Sequence, residues 1–157
     1  MQIKPNFLRN SKEILAHVNQ FHLDKFKPRE GAASHIGIVP HIYSRFNTLR
    51  NDDMTDALIK SIFRDADFDE LLQDTYSFIQ IQQYLPGDYI VPHTDVYDIT
   101  NLHLIILSDS ETDGLVYTEN NKLFKLFDKA GTYINVGNEF HWVDPVKDIR
   151  YSLVVAE

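Results

Sequence analysis

The sequence predicts a mostly β protein, a sandwich or jelly roll with helices ahead of it in the chain. Three observations carry that prediction. Six strand-length apolar stretches fall between Ser77 and Ala156, turn residues such as Pro86-Gly87 and Asp113-Gly114 separate them, and two stretches of helical period precede them.

The first helical stretch covers residues 10 to 21. Asn10 is a good cap, Glu13 stands three positions later in the capping-box arrangement, and Ile14, Leu15, Val18 and Phe21 recur at helical spacing. The second, from Asp52 to Phe63, repeats the pattern with Met54, Leu58, Ile59, Ile62 and Phe63. Between them, residues 25 to 51 mix Pro28, Gly31, Gly37 and Pro40 with short apolar pieces, which reads as loop plus one or two edge strands. The strands themselves are Ser77 to Leu85, Asn101 to Leu107, Leu115 to Thr118, Lys122 to Phe127, Thr132 to Val136 and Ile149 to Ala156.

A chain of 157 residues can build one proper core and is too short for two ordinary ones. The expected organisation is therefore a single domain over 1–157. In it, 1–75 forms a helix-rich buttress with substrate-side loops, and 76–157 forms the β core.

Composition narrows the function. A formal net charge of -8 weighs against nucleic acid as the principal partner, because phosphate binding rests on clustered Lys and Arg. The chain has no cysteine, so any metal must be held by His, Asp or Glu. No apolar run reaches the length of a membrane span, and the opening MQIKPNFLRN lacks the apolar core of a signal peptide. The expectation is a cytoplasmic protein without a membrane partner.

The motif that bears chemistry is His93-Thr94-Asp95, followed by His141 and, nine positions after that, by Arg150. On an extended segment His93 and Asp95 point the same way and can grip one ion from one side. His141 would arrive from a later strand. Two imidazoles and one carboxylate on one face of a ferrous ion leave the opposite positions open, an arrangement that serves chemistry more than storage. A second H-x-D, His22-Leu23-Asp24, ends the first helix beside Lys25, Lys27 and Arg29 and has no third ligand at a matching spacing. It reads as a solvated, charged helix end.

The stretch from 76 to 157 resembles the iron(II)- and 2-oxoglutarate-dependent dioxygenases. The likeness rests on Tyr84-Leu85-Pro86-Gly87-Asp88-Tyr89, His93-Thr94-Asp95, Leu102-His103-Leu104, Gly131, Asn135, His141 and Arg150-Tyr151-Ser152. Within that superfamily it looks closest to the aspartyl/asparaginyl β-hydroxylase and free-proline hydroxylase branch, although Asn101 stands where the branch commonly has Arg. The resemblance implies a double-stranded β-helix core, a cupin-like jelly roll. It implies that His93, Asp95 and His141 bind Fe(II), and that Arg150 pairs with the distal carboxylate of 2-oxoglutarate. Ser152 would add a hydrogen bond there, and His103 would contact the same co-substrate. The implied activity is hydroxylation of an amino-acid side chain, protein-bound Asp, Asn or Pro or a free amino acid. Dioxygen would be consumed and 2-oxoglutarate decarboxylated to succinate.

Other readings of the same residues stay open. His103 suits a core histidine bonded to its surroundings, Arg150 suits a surface salt bridge with Asp144 or Asp148, and Trp142 suits packing beside the metal. His41, Tyr43, Arg45 and Arg50 could line the cleft or be solvated. The alternative to an enzyme is a metal- or 2-oxoglutarate-binding or sensing module on the same fold; a purely structural jelly roll would make the triad coincidental.

Overall fold

The computed structural model describes residues 1–32, 43–95 and 101–157. In chain order the elements are β1 (Gln2–Lys4), α1 (Ser11–Phe21), β2 (Lys27–Ala32), β3 (Tyr43–Arg50), α2 (Asp56–Arg64), α3 (Leu72–Thr75), β4 (Phe78–Tyr84) and β5 (Tyr89–His93). After these come β6 (Leu102–Ile106), β7 (Gly114–Glu119), β8 (Lys122–Phe127), β9 (Tyr133–Asn135), β10 (His141–Val143) and β11 (Arg150–Ala156).

Hydrogen bonding links the strands in the order β1-β9-β6-β11-β4-β3-β5-β10-β7-β8, with β2 on the side of β3. All pairs are antiparallel. The order contains two four-stranded halves, β9-β6-β11-β4 and β5-β10-β7-β8, which curl to face each other across one cavity. This is the jelly roll that the strand spacing predicts.

β3 joins the halves. Its second part, Asn47 to Arg50, pairs with β4, while Ser44 and Arg45 pair with β5. The sequence placed only edge strands between residues 25 and 51, and β3 is instead internal. The run YSRFNTLR lacks the alternation of a strand with one dry face, so its burial comes from neighbours that sequence does not reveal.

Strand alternation sorts side chains into two cores. On the outer face of β4 and β11, Ile79, Ile81, Leu153 and Val155 meet Ile14 and Val18 of α1 and Leu58 and Ile62 of α2. The helices thus buttress one sheet, as their apolar stripes require. The inner core holds Phe46, Tyr84, Ile90, Leu115, Ile134 and Val143.

Two helix starts differ from expectation. Asn10 precedes α1 but its side chain makes no cap; its Nδ2 donates to the Ser61 carbonyl at 2.8 Å, and Glu13 pairs with Arg64 at 2.8 Å instead of closing a capping box. The pull of α2 on both side chains outweighs a local cap. α2 begins at Asp56, later than Asp52, because Thr55 Oγ1 accepts from the Leu58 N–H at 3.2 Å and a single 3₁₀ turn occupies Asn51–Asp53.

The turn before β5 is tightly built. Gly87 sits at φ +93, its N–H donates to the Val146 carbonyl, and Asp88 Oδ2 accepts from the Leu85 N–H at 2.9 Å. Pro86 and Gly87 thereby satisfy the middle positions of a type II turn, where a positive φ favours glycine. Among the described residues, no helix is long and apolar enough to cross a membrane.

Candidate metal centre

His93 ends β5 and His141 begins β10, and the two are direct partners across that pair of strands. Directly opposed residues share a face, so both rings enter the cavity, with centroids 4.3 Å apart. Asp95, two residues past His93, completes the group: Oδ1 lies 3.4 Å from His93 Nε2 and Oδ2 lies 3.0 Å from His141 Nε2. The three ligand atoms fall within 4.8 Å of one another.

The hydrogen bonds around the imidazoles identify what belongs between them. His93 Nδ1 lies 2.8 Å from the Val91 carbonyl, and His141 Nδ1 lies 3.0 Å from the Glu139 carbonyl. A carbonyl only accepts, so each Nδ1 carries the proton. Each Nε2 then faces a carboxylate that also only accepts. A neutral ring cannot satisfy both ends; a second ring proton can, and so can a metal cation, which satisfies both Nε2 atoms and Asp95 at once with the rings left neutral. The donor set therefore fits a divalent metal with nitrogen and carboxylate ligands.

Electrostatics agree. Burial pushes the Asp95 carboxyl up, but hydrogen bonds with His141 and His93 outweigh it and hold the group well below the usual carboxylate range. Burial pulls His141 down, and the bond to Asp95 more than compensates, leaving it above the ordinary imidazole value. The Asp95 carboxylate is thus balanced by a proton on His141, and a metal would take that proton's place.

Away from the triad, the cavity is walled by Ile90, Leu104, Leu115, Ile134 and Val143 and carries Gln82, Tyr84 and Arg150. Arg150 heads β11 opposite Tyr84 of β4, with its guanidinium 5.3 Å from the Tyr84 ring centre. It forms no surface pair with Asp144 or Asp148. Its Nε donates to Asp128 Oδ2 at 2.7 Å and its Nη2 to Asp128 Oδ1 at 3.2 Å, with both side chains almost fully buried. Asp144 accepts from Trp142 Nε1 at 3.1 Å, so the indole points away from the metal-facing side of β10.

Ser152 and His103 fall differently from the metal group. Ser152 is on the inner face of β11, but its hydroxyl donates to Gln82 Oε1 at 2.9 Å, so any influence on a ligand passes through the Gln82 amide. His103 is turned out of the cavity. Leu102 and Leu104, its neighbours on β6, line the cavity, and alternation sends His103 to the opposite face, in register with Val155. There Nδ1 meets the Tyr133 hydroxyl at 2.6 Å and Nε2 meets Glu157 Oε2 at 2.9 Å, beside a separate surface cleft with Lys4 and Phe68. The structure therefore places His103 outside the cavity that holds the triad.

Asn101 is engaged at the rim, accepting from Asn135 Nδ2 at 2.6 Å and donating to Glu157 at 3.3 Å. In the front segment, Arg45 pairs with buried Asp88 at 3.2 Å and Arg50 stacks over Phe78 at 4.5 Å; His41 and the Tyr43 side chain lie outside the described residues. The second H-x-D is solvated at Leu23 and Asp24, as the sequence suggests, but not at His22. His22 is fully buried, with Nε2 accepting from the Thr55 N–H at 3.3 Å, because the end of α1 packs against the start of α2.

Two residues at the site carry no assignment from the sequence: Gln82, which lines the cavity, and Asp128, which pairs with Arg150 without lining the cavity itself. Gln82 was legible in principle, since FIQIQQY alternates Ile with Gln and its apolar side is claimed by the helices. Asp128 gives no such signal, because an ion-pair partner 22 residues from Arg150 is fixed by topology alone.

No protein-family model matches this sequence, and no curated protein does. Among solved structures, the chain is similar to a prolyl-4-hydroxylase from Pseudomonas putida, at 16% identity over 99% of this chain and 90% of that one, with a TM-score of 0.65. It is similar to a viral collagen prolyl hydroxylase from Paramecium Bursaria Chlorella virus-1 in complex with 2OG, at 18% identity over 99% and 93%, TM-score 0.63. A third likeness is to a prolyl hydroxylase from Trichoplax adhaerens in complex with a hypoxia inducible factor oxygen degradation domain peptide fragment, at 17% identity over 99% and 81%, TM-score 0.64. At such identities these likenesses establish a shared fold.

Proposed function

We propose that this chain is an iron(II)- and 2-oxoglutarate-dependent dioxygenase that hydroxylates an amino-acid side chain. The observation that carries the reading is the doubly accepting surroundings of His93 and His141, which a cation at Nε2 satisfies and a neutral ring does not. The fold is shared with an oxidoreductase of the 2OG-Fe(II) oxygenase family from Burkholderia pseudomallei, and that likeness supports the choice of iron among divalent metals.

His93, Asp95 and His141 would hold the iron, and the free N–H groups of Arg150 would hold the distal carboxylate of 2-oxoglutarate. Gln82, oriented by Ser152, is placed to add a hydrogen bond. The iron supplies activation of dioxygen, coupled to decarboxylation of 2-oxoglutarate to succinate. The residues of this chain do the rest. The Val91 and Glu139 carbonyls keep both rings in one tautomer, the aliphatic walls exclude water, and Tyr84 stays protonated because burial pushes its hydroxyl up.

The substrate is an amino-acid side chain in a peptide or protein, and a prolyl residue is the first candidate because three of the solved relatives named above are prolyl hydroxylases, one with a peptide bound. Asp and Asn side chains and free amino acids follow. The test is anaerobic loading with Fe(II) and 2-oxoglutarate, read as a visible charge-transfer band. Aerobic turnover with Pro-, Asp- and Asn-containing peptides beside free amino acids is then read as succinate and a mass gain of one oxygen atom. Absence of the band, or succinate that never exceeds the level of Asp95→Ala, would leave the module without turnover as the better reading.

A further inference from the structure

Arg150 reaches the cavity already paired. It is the one Lys or Arg among the described residues that line the cavity, and Asp128 holds it along its Nε edge. A guanidinium has five N–H donors. Two go to Asp128, which leaves Nη1 and the outer N–H of Nη2 for any ligand. Asp128 does not depend on a ligand for its place: its N–H donates to the Asp113 carbonyl and its own carbonyl accepts from the Ser110 N–H, each at 3.0 Å.

We propose that Asp128 is a positioning residue that sets how strongly the cavity holds a dicarboxylate 2-oxo acid, by fixing which edge of Arg150 is offered and by cancelling part of its charge. This inference rests on the co-substrate reading above. Two effects of Asp128 oppose each other. Clamping the guanidinium orients its free edge, which favours binding. Supplying a carboxylate on the far edge of the same cation means that an incoming carboxylate meets a like charge, which disfavours it.

The charge effect dominates in this setting. Arg150 is 2% exposed and packed against the Tyr84 ring, so its orientation survives replacement of Asp128 by an amide of the same shape. The repulsion between two carboxylates sharing a buried cation is poorly screened there. Removing the charge of Asp128 while keeping its shape therefore strengthens the anchor, and does so only for ligands that have a distal carboxylate.

The test uses the full chain loaded anaerobically with Mn(II). Binding of 2-oxoglutarate is compared with that of 2-oxobutyrate, which lacks the distal carboxylate, in wild type and in Asp128→Asn. The expected result is about tenfold tighter 2-oxoglutarate in the variant with 2-oxobutyrate unchanged. Weaker or unchanged 2-oxoglutarate, or a parallel change in both acids, overturns the role of Asp128. Should the variant fail to fold, the wild type decides: a partly neutralised anchor predicts a preference for 2-oxoglutarate over 2-oxobutyrate below about a hundredfold, and a larger one overturns the proposal. Wild type that binds neither acid removes the co-substrate reading itself, which is a distinct outcome.

Discussion

His93 and His141 stand opposite each other across β5 and β10, and each places Nδ1 against the backbone carbonyl two positions before it, Val91 within β5 and Glu139 in the turn that leads into β10. The rings are thus oriented by backbone, not by each other. Their Nε2 atoms converge on Asp95 with no side chain interposed. Replacing either His141 or Asp95 by Ala should lower Mn(II) or Fe(II) affinity by at least about a hundredfold, measured by anaerobic titration, while far-ultraviolet circular dichroism stays that of the wild type. Retained tight binding in Asp95→Ala would show that the metal sits elsewhere.

Metal affinity should depend on pH through His141. Its pKa is raised above the ordinary imidazole value of about 6.5, so the metal-free site keeps a proton there at a pH where a free imidazole has lost it. A metal must displace that proton. Mn(II) affinity should fall as pH drops through the raised pKa, approaching about tenfold per pH unit. A flat profile from about pH 8 to pH 6 would contradict the coupling of His141 to Asp95.

His22 should matter for stability and not for metal. Burial lowers its pKa, so the unfolded chain binds a proton more readily than the folded one. Stability from this group is complete above the unfolded pKa of about 6.5 and is lost as pH falls through it. Between about pH 8 and pH 5, wild type should lose more melting temperature than His22→Gln, and Mn(II) affinity of the two should agree. Equal losses would show that the His22 ring is not the titrating group.

Arg150→Ala removes one half of a buried ion pair and leaves Asp128 without its partner. Such losses cost about 3 to 5 kcal/mol, so the melting temperature should fall by many degrees. 2-Oxoglutarate affinity should fall by about a hundredfold with Mn(II) still bound, because the cation is gone and an uncompensated carboxylate remains. Unchanged 2-oxoglutarate affinity would move the anchor to another residue.

Gly131 offers a test of the fold alone. It has φ +87, and a Cβ there would lie 2.4 Å from the Leu8 carbonyl oxygen, whose residue is itself bonded to the Gly131 carbonyl. Gly131→Ala combines a disfavoured backbone region with a backbone clash and should cost more than about 1 kcal/mol, read from chemical denaturation. A neutral result would mean that the Leu8 segment can withdraw from the turn.

What sequence reveals here follows the physics of each signal. The strands of the jelly roll were legible because alternation and turn residues are local, and the spacing of His93, Asp95 and His141 was legible because a strand fixes side-chain direction. The side of the sheet that His103 takes is not legible, because the face a β residue occupies is set by register with β11, and nothing local distinguishes the inward Leu102 and Leu104 from the outward His103. The burial of His22 is not legible for a related reason: a polar helix end looks solvated until another helix covers it. The partner of Arg150 was out of reach because three acidic residues, Asp128, Asp144 and Asp148, are equally plausible in one dimension and only one lies under the guanidinium.

The placement of β11 bears on the order in which the molecule can assemble. It follows both β4 and β6 in sequence, yet it lies between them, with all seven residues buried and Ser152 meeting Gln82 across 70 residues. In the folded sheet β4 and β6 are separated by it, so each has one edge without its native partner until β11 arrives. Folding dominated by such distant pairings is slow, on a scale of milliseconds to seconds, because loop closure must precede the contacts that reward it. Arg150, riding on this strand, meets Asp128 and the triad in the same closing step, so the anchor and the metal group should become competent together, and a partly folded chain should hold neither.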